Sequence, residues 1–457
     1  MVWMLLLHLA IQSAFAQTDT LKLTLNEACD YAMGHNKELM NAKANILLAG
    51  AEYKETRAQG LPQMNGTVDY MTNFNYEVEF RFSGTGDSDM PDINTDVLDE
   101  GDFEILSLLN EMFAPSDPAT IVMKDQANAR FQVSQLIFSG QFWVGLEIAD
   151  IYRKLSKTQV KKTEKDVKEQ VTQTYHLILA TEESLNILNK NLENLNKTLT
   201  HTKNMYNAGV LEKYDVDQLR MNVSQLKNSR EATKRNLQLT YNMLKIQLGL
   251  EPTKEISLRE NLYDLIKESE NRLFTERLNP SNNLSYQLVD IQQQMEKTQI
   301  KLNKWAYAPL LTGYYSYTEK LLTTDFDLSP KNAAGLTLSI PIFSGGEKKA
   351  KIDKAKVTLD KTQRNKALLE DQLNLQENQL KYNLQSALEN YTTQKENVEI
   401  AKNVYQSIFN KYKQGLVSSL DLTQANNNYL QAENNYISAI LNVLQSILAL
   451  DSLYNTL

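Results

Sequence analysis

Thr67-Val68-Asp69-Tyr70-Met71-Thr72-Asn73-Phe74-Asn75-Tyr76-Glu77-Val78-Glu79-Phe80-Arg81-Phe82 alternates in character along its length. The even positions are Val68, Tyr70, Thr72, Phe74, Tyr76, Val78, Phe80 and Phe82. The odd positions carry Asp69, Asn73, Asn75, Glu77, Glu79 and Arg81. Successive side chains of a strand point to opposite faces, so this stretch reads as one strand with a greasy, aromatic side. Shorter stretches repeat the pattern at 128–138, 310–318 and 334–343. Four such strands need somewhere to put their apolar faces.

The rest of the chain offers those strands little cover. None of the nine prolines falls within 119–251 or 342–457. Proline breaks helix interiors, so long helices are expected there. In the second stretch Leu380, Leu384, Ala387, Tyr391, Val398, Ala401, Tyr405, Ile408 and Tyr412 step by threes and fours, with Gln394 the one polar interruption. In the first, Val167, Val171, Ile178, Leu185, Leu188, Leu192, Leu195 and Leu199 do the same, with Thr174, Thr181 and Thr202 interleaved. These are narrow coiled-coil seams, suited to other helices rather than to a sheet. A helix from about 141 to 206 would be roughly 100 Å long.

Each helical stretch holds an interior glycine, Gly209 or Gly415, where a turn with positive φ is expected. Six residues later come Asp215 and Asp421, followed by Gln218 and Gln424. Asp-x-x-Gln resembles a capping box, with the aspartate as cap of the returning helix. Each stretch therefore reads as helix, tight turn, helix.

The chain also repeats itself. Ala58 to Tyr70 resembles Trp305 to Tyr317, and Ile137-Phe138-Ser139-Gly140 recurs as Ile342-Phe343-Ser344-Gly345. Residues 17–250 read as a first repeat and 283–457 as a second, joined by a polar segment at 251–282. Residues 1–16 read as an export signal. Leu5, Leu6, Leu7, Leu9, Ala10 and Ile11 form its apolar core, and Ala14-Phe15-Ala16 precedes a mature start at Gln17. No Lys or Arg precedes that core, so the true start is expected upstream.

Composition excludes several classes. The net charge of −8 disfavours nucleic acid. A single cysteine, Cys29, forbids an internal disulfide and reads as a packed helix residue. The histidines His8, His35, His176 and His201 are scattered, so no metal site, cofactor or enzymatic constellation is expected. Ser-Gly-Gly at 344–346 reads as a strand-to-helix junction rather than an anion site. Between Arg81 and Lys124 lie ten acids and no Lys or Arg. Its Asp92–Asp96 run lacks the glycine and twelfth-position Glu of a calcium loop, leaving a solvated loop. Within it Phe103, Leu106, Leu109 and Phe113 suggest a short amphipathic turn of helix. No run of 18 apolar residues follows the signal, so any membrane crossing must be by strands. Four strands cannot close a barrel, and open edges cannot persist in lipid, so strands in lipid require an oligomer.

The chain resembles the TolC-like outer-membrane efflux protein family over essentially its mature length. The resemblance rests on Leu25-Asn26-Glu27-Ala28, Leu61-Pro62, the two Phe-Ser-Gly junctions, and the turns Ala208-Gly209-Val210…Tyr214-Asp215-Val216 and Gln414-Gly415-Leu416…Leu420-Asp421-Leu422. It implies a mainly α, internally duplicated, trimeric α/β barrel in the outer membrane. Four strands per chain would form the membrane barrel, and antiparallel coiled coils would extend into the periplasm. It implies a passive conduit for efflux or type I secretion, with a homotrimer, outer-membrane lipid, a periplasmic adaptor and an inner-membrane transporter as partners. It places a periplasmic constriction at Asp421, Asp215, Gln424 and Gln218, although Gln424 stands where some relatives carry a second acid. It places adaptor docking at Gly209, Val210, Gly415 and Leu416. Tyr70, Phe74, Tyr76, Val78 and Phe80 are expected to face lipid. The competing reading is a periplasmic coiled-coil scaffold or adhesin, which would have no need of four aromatic-faced strands.

Overall fold

The computed structural model describes residues 20–72, 74, 76–80, 96, 99–112, 119–123, 125–270, 277–322 and 329–456. The expected signal segment lies outside them. In chain order the elements are β1 (Leu21–Leu23), α1 (Leu25–His35), α2 (Lys37–Ala58), β2 (Gln63–Met71), β3 (Tyr76–Phe80), α3 (Glu100–Met112), β4 (Ala119–Met123), β5 (Gln126–Phe138), α4 (Gly140–Asn207), α5 (Lys213–Leu248), β6 (Ile256–Leu258), α6 (Leu262–Glu270), α7 (Leu284–Trp305), β7 (Leu310–Leu322), β8 (Asn332–Ser339), α8 (Glu347–Lys413) and α9 (Ser419–Tyr454). The chain divides into two compact units. One comprises residues to Tyr53, Glu147–Lys301 and Ala350–Leu457; the other comprises Lys54–Leu146 and Leu302–Lys349.

The first unit is helical. Its long helices end where the glycines stand, with 68 and 67 residues before each turn and 36 after it. The core gathers Val167, Val171 and Ile178 of α4, Leu244 and Leu248 of α5, Ala28 and Ala32 of α1, and Ile440, Val443 and Ile447 of α9. Burying each large aliphatic side chain contributes about 1.5–3 kcal/mol. The threonines interleaved in the α4 seam bury without loss where their hydroxyls donate back one turn, Thr181 to Leu177 O at 2.7 Å and Thr202 to Thr198 O at 2.9 Å. Asn191 and Asn426 pair at 3.0 Å inside the bundle, a polar contact of the kind that sets helix register. α9 is long and apolar enough to cross a membrane, yet its apolar stretch is mostly buried in this unit.

Local chemistry sets the ends of α1 and α5. Thr24 and Glu27 form a reciprocal capping box on α1. Asn36 stops α1 and starts α2, accepting from Leu39 N–H at 2.9 Å and donating to Gln247 O at 2.7 Å. Gly249 ends α5 at φ +72°, and a Cβ there would lie 2.1 Å from His35 O. Cys29 packs in α1 with its thiol 3.7 Å from Thr172 Oγ1, as its sequence context suggests.

The second unit is built on an antiparallel meander, β2-β5-β7-β8. Register places Val68 opposite Ala129, Phe131 opposite Tyr317, and Tyr315 opposite Ala334. One face thus carries Met64, Val68, Tyr70, Phe131, Tyr315 and Leu336, all substantially exposed. The other carries Thr67, Asp69, Arg130, Gln132, Ser316 and Thr337. Among the described residues β2 and β8 are the outer strands, each unpaired on one side.

Three expectations need correction here. The strand read through Thr67–Phe82 is two strands: β2 ends at Met71 and β3 starts at Tyr76, pairing with β4 in a separate hairpin. Between them Phe74 sits at φ +53°, 89% exposed, its N–H 3.3 Å from Thr72 Oγ1. Phe74 is therefore a turn residue. Tyr76, Val78 and Phe80 belong to the hairpin, not the sheet. Period-two alternation cannot distinguish one strand from two collinear ones. The fourth strand ends at Ser339 rather than 343, because Pro341 has no N–H to give the ladder. The acidic loop holds a thirteen-residue helix, α3, rather than a single turn. Asp99 Oδ1 caps it, accepting from Gly101 and Asp102 at 3.0 Å each. Phe113 and most of the Asp92–Asp96 run lie outside the described residues.

Candidate functional site at the paired helical turns

The two turns of the first unit share one design. Val210 N–H donates to Met205 O at 2.9 Å and Gly209 N–H to Tyr206 O at 2.9 Å. Leu416 N–H donates to Lys411 O at 3.0 Å and Gly415 N–H to Tyr412 O at 2.9 Å. Both are Schellman closures, which need the left-handed conformation at the penultimate position. Gly209 and Gly415 supply it at φ +75° and +73°. Neither would meet another atom if a Cβ were added, so backbone conformation rather than space demands glycine there.

The acids do not cap their helices as expected. The caps are Glu212 and Ser418, and Asp215 and Asp421 stand three residues inside. Asp421 Oδ2 accepts from Ser418 N–H at 3.1 Å and Ser418 Oγ at 2.7 Å, and Asp421 N–H donates back to Ser418 Oγ at 3.2 Å. Ser-x-x-Asp, not Asp-x-x-Gln, is the operative box. The Ser418 hydroxyl, then its backbone N–H, holds the Asp421 carboxyl below the usual aspartate value. A carboxylate in the first helical turn also meets the positive end of the helix dipole.

Beyond that the two acids diverge. Asp421 is exposed, beside exposed Gln424, whose amide donates to Asn428 at 2.9 Å. Asp215 is half-buried, and its Oδ1 accepts from the hydroxyl of buried Ser419 at 2.6 Å. That bond ties the first hairpin to the second. Two more bonds do the same: Thr202 Oγ1 with Tyr412 OH at 2.7 Å, both fully buried, and Asn222 to Thr423 Oγ1 at 2.7 Å. Gln218 is half-buried one turn beyond Asp215.

Sequence reasoning did not anticipate Tyr412, Thr202 or Ser419 as connectors, nor Ser418 as the cap. Tyr412 and Thr202 did appear on the coiled-coil seams, and a hydroxyl on a buried seam is a signal that a partner exists. Around the turns Val210, Tyr214, Leu416 and Leu420 are between half and seven-tenths exposed. An apolar rim thus surrounds a patch that carries acid. Among the described residues no cluster of His, Cys, Asp or Glu could hold a metal ion.

Residues 281–456 match the family model described as outer membrane efflux protein. No curated protein matches the chain. Among solved structures, the CusC channel aligns with a TM-score of 0.72 at 15% identity, covering 95% of this chain and 93% of that one. The Campylobacter jejuni CmeC outer membrane channel aligns at 0.71 and 16%, covering 94% and 85%. The open state of the Neisseria gonorrhoeae MtrE outer membrane channel aligns at 0.68 and 15%, covering 94% and 88%. At such identities the likeness is one of fold along nearly the whole chain.

Proposed function

We propose that the chain belongs to the TolC-like family of outer-membrane efflux proteins, as the family match over residues 281–456 and the shared fold support, and that it is the trimeric outer-membrane channel of a three-part export machine. It performs no chemistry; members of this family are channels, not enzymes. The observation that carries the proposal is the four-stranded sheet with an exposed apolar face and two free edges. In lipid, unpaired edge amides would each cost several kcal/mol, so β2 of one copy must meet β8 of the next. Three copies supply twelve strands, above the roughly eight a barrel needs.

The helices support the same assembly. On α8 the exposed residues Val357, Leu368, Leu375, Tyr382, Ile400 and Val404 fall within an arc of about 40°. On α5 Tyr214, Met221, Leu239, Met243 and Ile246 fall within about 60°. Two different apolar stripes on one chain suit a head-to-tail contact, which closes into a ring. The similar order of elements in the two halves, helix, strands, long helix, turn and helix, fits an internal duplication that places four near-equivalent helices per copy around that ring.

At the turns, Val210, Leu416 and their neighbours present the apolar rim to which a periplasmic adaptor docks, linking the channel to an inner-membrane transporter. Asp421 and Gln424 of three copies line a constriction. Asp215 and Tyr412 hold the second hairpin against the first while the channel rests. The scaffold alternative leaves the exposed apolar sheet face without a purpose.

The test is paired substitution on β2. Val68→Arg, on the apolar face, should impair trimer assembly in outer-membrane fractions by about 2–4 kcal/mol if near the bilayer midplane. Thr67→Arg, on the polar face, should assemble nearly normally. Equal assembly of both variants would refute the assigned face.

A further inference from the structure

One end of the β2-β5-β7-β8 sheet has its own chemistry. It is the end at which β5 gives way to α4 at Gly140 and α7 gives way to β7 at Leu310. Trp143 is 63% exposed there, Tyr307 48%, Trp305 41% and Phe343 91%. The Trp305 ring is held in place. A Cβ on Gly140 would lie 2.0 Å from the Trp305 ring, so glycine lets that ring seat against the backbone. Cations share the band: Lys304 and Lys349 are exposed, and Lys348 Nζ lies 5.3 Å from the centre of the Tyr307 ring. The opposite end of the sheet leads into the segment with ten acids and no Lys or Arg between Arg81 and Lys124.

We propose that this band, Trp143, Tyr307 and Phe343 with Lys304, Lys348 and Lys349, is a binding surface for anionic phospholipid headgroups. The proposal rests on the outer-membrane placement argued above and adds to it a lipid preference. Amphipathic rings sit at the headgroup level because one part of the ring is apolar and the other can be wet. Lysines beside them lay their methylene stems along apolar surface and extend the ammonium to the phosphates. Clustered lysines favour an anionic leaflet over a zwitterionic one.

The chain has three tryptophans, and Trp3 lies in the expected signal segment, so the exported chain reports on the band through Trp143 and Trp305 alone. The full exported chain, assembled in vesicles of phosphatidylethanolamine and phosphatidylglycerol, is compared with either lipid brominated at equal mole fraction. Brominated phosphatidylglycerol should quench the tryptophans about twofold more than brominated phosphatidylethanolamine. The variant Lys304→Gln/Lys348→Gln/Lys349→Gln should bring that ratio to about one, and replacing the same lysines with Arg should restore it. Helical circular dichroism and trimer migration establish that each variant is folded. Equal quenching by both lipids in the unaltered chain overturns the headgroup proposal while leaving the membrane placement standing. No quenching by either lipid overturns the membrane placement itself.

Discussion

Helices α4 and α8 have nearly the same length, end in a tight turn with the same closure, and carry the same kind of heptad seam, yet they live in different environments. α4 buries Val167, Val171, Tyr175, Ile178, Leu195 and Thr202 among many others, on a face wide enough to meet several helices. α8 buries Ala355, Leu373, Glu377, Leu384, Tyr391 and Tyr412, and leaves Val398, Ala401, Tyr405 and Ile408 of its seam half-covered. Its second apolar stripe, from Val357 to Val404, is bare. The difference teaches that heptad periodicity measures how much apolar surface a helix must bury, not where the partner is. α4 finds its partners within the chain. α8 finds part of its cover in α9, and its remaining stripe is the surface a neighbouring copy is proposed to cover.

The contrast can be broken most directly by truncation. Ile178→Ala should destabilise the chain by about 2–5 kcal/mol, because a fully buried site cannot collapse completely. Leu375→Ala should scarcely alter the stability of the isolated chain and should instead weaken trimers on native gels. If thermal unfolding showed the two variants equally destabilised as monomers, α8 would be as enclosed as α4 and the contrast would vanish.

A slightly smaller effect belongs to His176, which has no counterpart in the α8 seam. Burial alone lowers its pKa from 6.5 to about 4, and its Nδ1 has no hydrogen-bond partner. A folded value below the unfolded one means that the unfolded chain binds the proton first. Stability from this site is therefore complete above pH 6.5 and is lost as pH falls toward about 4. The loss should total roughly 3 kcal/mol. Denaturant titrations across that window check it, and His176→Gln should flatten the profile there. An unchanged slope in that variant would show that other groups cause the acid sensitivity.

Next comes the bond that joins the seams of α4 and α8. Tyr412→Phe removes the hydroxyl partner of Thr202 and should cost about 0.5–1.5 kcal/mol. It should also raise the open probability of single channels in planar bilayers, since one tie between the hairpins is gone. Conductance records indistinguishable from wild type would mean that the tie plays no part in holding the channel at rest.

The smallest change in stability is expected at Asp421, which is exposed at its turn. Its folded pKa is depressed, so its contribution is present above the ordinary aspartate value and fades as pH falls through the lower folded value. Asp421→Asn keeps an acceptor for Ser418 and removes the charge, so trimers should persist while cation preference weakens. Asp215→Asn should shift selectivity less, because that carboxylate is half-buried and engaged with Ser419. Selectivity equal to wild type in low-salt bilayers for Asp421→Asn would remove it from the conduction path.

Local signals carried much of the fold. Gly209 and Gly415 placed the turns because only glycine adopts positive φ there at no steric cost, and proline-free stretches placed the long helices. Alternation placed strands at β2, β5, β7 and β8. The same rule failed at Phe74, where a turn between two strands preserves the period. At the turns, proximity in sequence singled out Asp215 and Asp421 but assigned them the wrong position in the box, since Glu212 and Ser418 precede them.

The sequence by itself determined where this chain turns, which stretches are helical, and that four strands carry an apolar face, because those properties depend on residues within a few positions of each other. Only the tertiary structure decided that Tyr412 meets Thr202, that Ser419 meets Asp215, that Asn191 pairs with Asn426, and that α8 stays partly bare. Those contacts join residues about 200 or more positions apart, and which hydroxyl reaches which carboxylate depends on how helices pack in three dimensions. No local periodicity encodes that distance.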